Sequence, residues 1–520
     1  MRIRSLAAVL VAACGCVFWS SPVRADDPPD AAATATAAPA RPTATPRPPG
    51  ADPQAAVTHH SVTVNGQPIA YTVHAGTMPL RNAEGDEIAR VFIVAYTVDG
   101  GNPRTRPVTF LWNGGPGTAT MWLQMGSYGP VRVAVPSDAT LPAPNVPVVP
   151  NPDTLLDVSD LVFIDAVGTG YSRITGKGTP KTFYGVDEDA RAFDDIIRAW
   201  TTANDRWSSP KFLFGESYGT MRAATTVARL QNDGMAINGV VLLSSALDYN
   251  ALDTGQGPGE DYSYIAFLPS LAAVAWYHKA LPANVDLDAL VRDVDAFAIG
   301  PYADALMRGD TLDPATRRTV IAKLHAYTGL DAGYIDRANL RIDPSRFEHE
   351  LLAPRGLVTG RVDARYQGPE LDRTGDSPAY DPSFSDAMTD AYVGAFTRYV
   401  RDDLGYKIDR PYIGGSGAVN RQWNYRRTRS IVAPNGAGDL RAALTKNPSL
   451  RVFSANGYFD LATPFFGTEY TLNHLALDPS VRSHVEFGYY TSGHMVYHND
   501  DARRALKADL VRFYREAEGR

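Results

Sequence analysis

Cysteine is nearly absent from this sequence. Its 520 residues include two, Cys14 and Cys16, so nothing after residue 16 can form a disulfide or a thiolate metal site. A surplus of one charge is missing as well. Fifty Lys and Arg stand against 57 Asp and Glu, a net −7, and no basic run occurs, which argues against nucleic acid as a partner. Long apolar stretches are also lacking. The run Leu6 to Phe18 is too short to cross a bilayer and nothing comparable follows, so no membrane span is expected. His59-His60 offers too few ligands for a metal. Gly170 to Lys177 has the wrong glycine spacing for a phosphate loop, and Gly178 stands where Ser or Thr is needed. Neither a metal nor an organic cofactor is expected.

The N-terminus reads as an export signal over residues 1–25. Arg2 and Arg4 precede the apolar run, and Val23-Arg24-Ala25 places small residues at −3 and −1 of a cleavage after Ala25. The expected destination is the periplasm or the medium. Two alternatives stay open: lipoprotein processing at Val11-Ala12-Ala13-Cys14, which would leave Cys14 lipidated, and a buried N-terminal helix. Residues 26–56 are Ala, Pro, Thr and Asp with almost no large apolar side chain, a composition that predicts a flexible linker.

Alternation begins near Ser61. Ser61 to Val64 meets an Asn65-Gly66 turn signal, and Ile69 to Ala75 and Glu87 to Val98 follow as antiparallel, hairpin-linked strands. Then come unbroken apolar runs: Val108 to Trp112, Leu161 to Asp165, Phe212 to Phe214 and Val240 to Leu243. Such runs suit strands buried on both faces of a parallel sheet. Helical patterns at Asp187 to Thr202 and Thr220 to Gln231 separate them, which is βαβ order. From about Tyr249 to Arg427 the pattern is helical and broken by prolines. Strand-like runs return at Arg451 to Ala455 and Val485 to Tyr490, before an amphipathic helix, Asp501 to Ala517. One sheet interrupted by a helical insertion explains this order, with core in 57–248 and 428–520 and the insertion in 249–427. The insertion is expected over the C-terminal edge of the sheet, where open α/β sheets carry their sites.

The chemistry centres on Phe212-Leu213-Phe214-Gly215-Glu216-Ser217-Tyr218-Gly219, an apolar strand running into Gly-x-Ser-x-Gly and then a helix. Small neighbours permit a sharp strand-to-helix turn that exposes the serine Oγ beside helix N–H groups. A serine nucleophile needs a base and an orienting acid, in the order Ser, acid, His for α/β-hydrolases. His494 follows an apolar strand, with His498 as a rival base. Asp460 follows another strand, with a turn or N-cap role as its plainer alternative. Asn113-Gly114-Gly115-Pro116-Gly117 follows a strand upstream of the elbow, where this fold supplies its second oxyanion donor; its plainer alternative is a tight turn.

Asn113 to Gly117, Ile164 to Ser172, Gly215 to Gly219 and Gly493-His494-Met495 resemble, in order, the four signature segments of the serine carboxypeptidase family. The resemblance implies an α/β-hydrolase fold with a triad of Ser217, Asp460 and His494. It further implies an oxyanion hole from the N–H groups of Gly115 and Tyr218. Asn113 and a protonated Glu216 would bind the substrate's terminal carboxylate, consistent with the family's acid working range. The expected substrates are peptides with a free C-terminus.

Departures from the family pattern bear on this expectation. Thr118 stands where Gly-Pro-Gly-Cys has its cysteine, and Trp112 lies one residue before Asn113 rather than two. Where the family often carries a second Glu before a Gly-Pro, this sequence reads Gln124-Met125-Gly126-Ser127-Tyr128-Gly129-Pro130. Without that partner, Glu216 is expected to ionise at lower pH and to hold a terminal carboxylate less well. An esterase or acyltransferase of the same fold is therefore the alternative, and a catalytically silent binding protein the reading from another class.

Overall fold

Continuous apolar runs predict strands covered on both faces, and five such strands form the centre of the molecule. The computed structural model describes residues 52–143, 145–254, 257–427 and 433–519. The expected signal peptide, its lipoprotein alternative at Cys14 and nearly all of the linker lie outside the described residues. Among the described residues no helix is long and apolar enough to cross a membrane.

Within the unit Gln54–Arg520, nine strands build the main sheet: β1 (Ala56–Val64), β2 (Gln67–Arg81), β3 (Glu87–Val98), β4 (Val108–Trp112), β5 (Asp160–Ile164), β6 (Lys211–Ser217), β7 (Gly239–Ser245), β8 (Arg451–Gly457) and β9 (Val485–Tyr490). Their spatial order is β1-β2-β3-β5-β4-β6-β7-β8-β9, and the two-residue strand Arg173–Ile174 adds to β3. Neighbours from β1 through β3 to β5 pair antiparallel, and the remaining pairs are parallel. Asn65 and Gly66 both have positive φ, at 50° and 77°, as the Asn-Gly turn between β1 and β2 requires.

Alternate side chains of the central strands feed two cores. Leu111, Phe163, Phe214, Val241 and Phe453 point to one face, and Phe110, Val162, Leu213, Val240 and Val452 to the other. Helices α1 (Val186–Ala203) and α2 (Tyr218–Asn232) cover the second face. The first face is closed by the C-terminal helix Asp500–Ala517, through Leu506, Leu510 and Phe513. This is the α/β-hydrolase architecture that the order of sequence patterns predicts, although the first two strands are longer than expected, beginning at Ala56 and ending at Arg81 respectively.

Between β7 and β8 the chain is mainly helical. Tyr262–Tyr277, Leu287–Phe297 and Pro314–Thr328 pack through Phe267, Leu271, Val294, Phe297 and Leu324 into a core of their own. Asp286, Asp313 and Asp343 cap helices by accepting backbone N–H bonds. Phe459, Leu461 and Phe465, which follow β8, join this core. In this region a short antiparallel hairpin, Leu357–Thr359 with Gln367–Pro369, has no counterpart in the sequence patterns. Its strands are too short to show alternation.

Candidate active site

Ser217 closes β6 and serves as the residue before α2, with φ 60° and ψ −132°. A non-glycine residue at positive φ is strained, and it persists because both neighbours are locked. Gly215 and Gly219 show how tight the turn is. A Cβ on Gly215 would collide with the Gly219 carbonyl, and one on Gly219 would stand 2.9 Å from the Trp112 ring. Trp112 Nε1 donates to the Gly219 carbonyl at 2.8 Å. A Cβ on Gly114 would collide with the amide nitrogens of Tyr218 and Gly219. The 113–117 loop therefore rests directly on the start of α2. That contact brings Gly115 and Tyr218, the expected oxyanion donors, to the same turn.

Arg222, one turn into α2, ties this assembly down. Its Nε donates to Asp189 Oδ2 at 2.7 Å and its Nη1 to the Asn113 carbonyl at 2.6 Å. The guanidinium lies 4.5 Å from the Phe193 ring centroid and 5.3 Å from that of Tyr218. A fully buried charge is tolerated there because it is paired and bonded on several sides.

Asp460 lies three residues past β8 and His494 four past β9, so both leave the same edge of the sheet as Ser217. Asp460 Oδ2 accepts from His494 Nδ1 at 2.8 Å, which leaves the imidazole Nε2 as the group free to take a proton. The Asp460 carboxylate is well anchored. Its Oδ1 accepts the N–H groups of Ala462 and Thr463, each at 2.8 Å. Thr463 Oγ1 donates to Oδ2 at 2.6 Å and lies 3.1 Å from His494 Nδ1. Burial pulls the His494 imidazole down, but the Asp460 carboxylate outweighs it and holds the group above its ordinary value. Ser244 Oγ donates to the His494 carbonyl at 2.6 Å, and its neighbour Ser245 pairs with Ser217 in the β6/β7 register. Among the described residues no hydrogen bond joins Ser217 Oγ to the imidazole. Such contacts commonly close only when substrate is bound.

The rival base, His498, bonds through Nε2 to the Tyr392 hydroxyl at 2.9 Å, and burial pushes it down to about 3. The Asp460 carboxylate goes to His494 instead.

Glu216 is 2% exposed and Asn113 3%. Burial pushes the Glu216 carboxyl up to about 7; the neighbouring His494, the Tyr497 hydroxyl and the Asn113 side chain oppose that shift, and Asp460 adds to it. Desolvation is the largest cause of that rise. Tyr497 donates to Glu216 Oε2 at 2.9 Å.

Sequence reasoning missed three contributors. Thr463 and Tyr497 bond to the acid and to Glu216 from 3 and 281 residues away. The third is the loop of the short hairpin. There Leu461 N donates to the Arg361 carbonyl at 3.1 Å and His494 N to the Val362 carbonyl at 2.8 Å. Asp381 in turn accepts the N–H groups of Arg361 and Val362, each at 3.1 Å. A cavity of about 830 Å³ borders Phe459 and Thr491, close in sequence to Asp460 and His494, but none of the expected site residues lines it. Among the described residues no group of three His, Cys, Asp or Glu is disposed to hold a metal ion.

A mostly parallel sheet with a strained serine elbow and acid and histidine loops at one strand edge defines an α/β-hydrolase. The model of the serine carboxypeptidase family matches residues 66–255. No curated protein matches the chain in sequence. Among solved structures, Kex1Δp, a prohormone-processing carboxypeptidase from Saccharomyces cerevisiae, superposes with a TM-score of 0.55. The match covers 86% of this chain and 92% of that one, at 16% identity. A proline iminopeptidase from Mycobacterium smegmatis is also similar, with a TM-score of 0.36, 12% identity, and 89% and 99% coverage. The chain has the α/β-hydrolase fold, and over residues 66–255 it is similar to the serine carboxypeptidases.

Proposed function

We propose that the protein is an exported serine carboxypeptidase that removes C-terminal residues from peptides through an acyl-enzyme. The observation that carries this reading is a buried Glu216 immediately before the strained Ser217. The bonded pair of His494 and Asp460 leaves the same sheet edge.

Ser217 Oγ attacks the carbonyl carbon of the last peptide bond while His494 Nε2 takes the hydroxyl proton. The oxygen that gains charge is held by the N–H groups of Gly115 and Tyr218. Collapse of the tetrahedral intermediate breaks the C–N bond, and the imidazolium returns its proton to the leaving amine. The C-terminal amino acid departs and an ester to Ser217 remains. Water, deprotonated by His494, then cleaves the ester, releasing the shortened peptide and restoring the serine. Asp460 fixes the imidazole tautomer and balances the imidazolium charge. Asn113 and Glu216 hold the terminal carboxylate. An ionised Glu216 would repel it, so the group serves this role only while neutral. Export rests on the N-terminal segment and its signal-peptide pattern.

The test is a product analysis. Purified protein and Ser217→Ala are given blocked dipeptides with free or amidated C-termini, beside a simple ester. Serine-dependent release of a free amino acid, lost on amidation, supports the carboxypeptidase. Cleavage of the ester alone would leave an esterase or acyltransferase and remove the exopeptidase.

A further inference from the structure

Glu216 has an oxygen engaged by a residue whose ring cannot swing away. Tyr497 is 1% exposed, and its ring fills the space over Gly126, where a Cβ would stand 2.5 Å from Tyr497 Cε2 and 2.7 Å from the Tyr392 hydroxyl. Any larger residue at 126 would expel the ring. Tyr392 is held in turn by its 2.9 Å bond with His498 Nε2, and its ring lies 4.5 Å from that of Trp122, tilted by 36°. Tyr497 OH reaches Glu216 Oε2 at 2.9 Å, and the Asn113 side chain lies beside both groups. Asn113 is itself fixed, since its Oδ1 accepts the Leu123 N–H at 2.9 Å.

We infer that Tyr497 is the positioning partner of Glu216, its hydroxyl occupying Oε2 so that the acid proton resides on Oε1 and is offered to the terminal carboxylate of the substrate. The inference rests on the carboxylate-binding role proposed for Glu216. A phenol is suited to the task because it does not titrate in the working range, whereas a second carboxyl would share its proton with the first. Besides Tyr497, the titratable groups facing Glu216 are His494, Asp460 and Tyr392.

A donor to Oε2 stabilises the carboxylate form more than the acid form. Removing it therefore makes Glu216 harder to ionise, and the proton survives to higher pH. At the same time the acid loses its fixed rotamer. Tyr497→Phe should raise KM for a blocked dipeptide with a free C-terminus about five-fold at acid pH, the worth of about one hydrogen bond. It should also move the alkaline fall of kcat/KM for that dipeptide upward by about half a pH unit or more. Cleavage of a simple ester should change by less than two-fold, and thermal unfolding should stay close to that of the parent. A deletion that widens the alkaline range is not what a purely structural tyrosine would produce.

The inference is overturned if the alkaline limb stays where it is or moves down, or if ester and peptide cleavage fall together. Glu216→Leu, which can neither donate nor accept a hydrogen bond, is measured beside it and separates the two readings. If this variant leaves the preference for free over amidated C-termini intact, the Glu216 role itself is wrong. If it abolishes that preference while Tyr497→Phe leaves the limb unmoved, only the Tyr497 inference fails.

Discussion

Thr463→Val tests how the proposed acid holds the proposed base. Valine keeps the β-branch and the volume, and the Thr463 N–H to Asp460 Oδ1 at 2.8 Å is untouched. What disappears is the hydroxyl, which donates to Asp460 Oδ2 at 2.6 Å and lies 3.1 Å from His494 Nδ1, at a site 5% exposed. A hydrogen bond to an ionised partner is worth about 1.5–3 kcal/mol. The loss is partly offset because Oδ2 keeps its bond to His494. Stability should therefore drop by about 1–2 kcal/mol, read from urea unfolding followed by tryptophan fluorescence. The catalytic effect follows from freedom rather than charge. With one of its two Oδ2 contacts gone, the carboxylate can rotate, and the imidazole it orients rotates with it. A loss of about 1.4 kcal/mol in the transition state lowers kcat about ten-fold, with KM nearly unchanged. Removing the carboxylate's charge from a comparable triad costs about 10⁴, so Asp460→Asn sets the scale for the dyad as a whole. Thr463→Ser returns the hydroxyl and should recover most of the rate. The reasoning fails if valine lowers stability and leaves kcat alone, or if serine loses as much as valine.

For substrates with a free C-terminus, kcat/KM should fall as pH rises through about 7, where Glu216 loses its proton. Esters should show no such alkaline limb, and Glu216→Gln should remove it from the peptide profile. On the acid side both substrate types should decline as His494, held above its ordinary value by Asp460, becomes protonated. Arg222→Met leaves Asp189 as an unpaired buried carboxylate and frees the Asn113 carbonyl. Unfolding free energy should fall by about 3–5 kcal/mol, and substituting Asp189 by Leu in the same chain should recover much of it.

The sheet was almost fully legible in the sequence because its central strands are buried on both faces. Runs such as Val108–Trp112 have no exposed position to interrupt them. The elbow was legible for a different reason: Gly215 and Gly219 are required by contacts so close that no side chain fits. The helical region between β7 and β8 was recognisable as helical, yet its contribution to the site was not. Leu357–Thr359 and Gln367–Pro369 are too short for a periodic signal, and the hairpin loop acts through backbone carbonyls, which any residue could supply. Thr463 carries no signal of its own in the sequence, and its part appears only where Asp460 and His494 converge on it. Tyr497 was hidden because its partner lies 281 positions away. The missing second carboxyl suggested a weaker Glu216, but the depth of its burial cannot be read from neighbours in the chain.

The bonds from Leu461 and His494 to the carbonyls of Arg361 and Val362 bear on how such an enzyme could be re-engineered. Caps on this fold invite exchange, since the strands beneath them form a self-contained scaffold. Here the proposed acid and base loops share an anchor supplied by the cap itself. A chimera that keeps all nine strands and imports a foreign region between β7 and β8 would leave two amides beside the acid and the base without acceptors. Substrate preference and chemical competence would then change together. A graft that retains residues 357–369 with Asp381 avoids that coupling, and those residues mark where the exchangeable part of the cap ends.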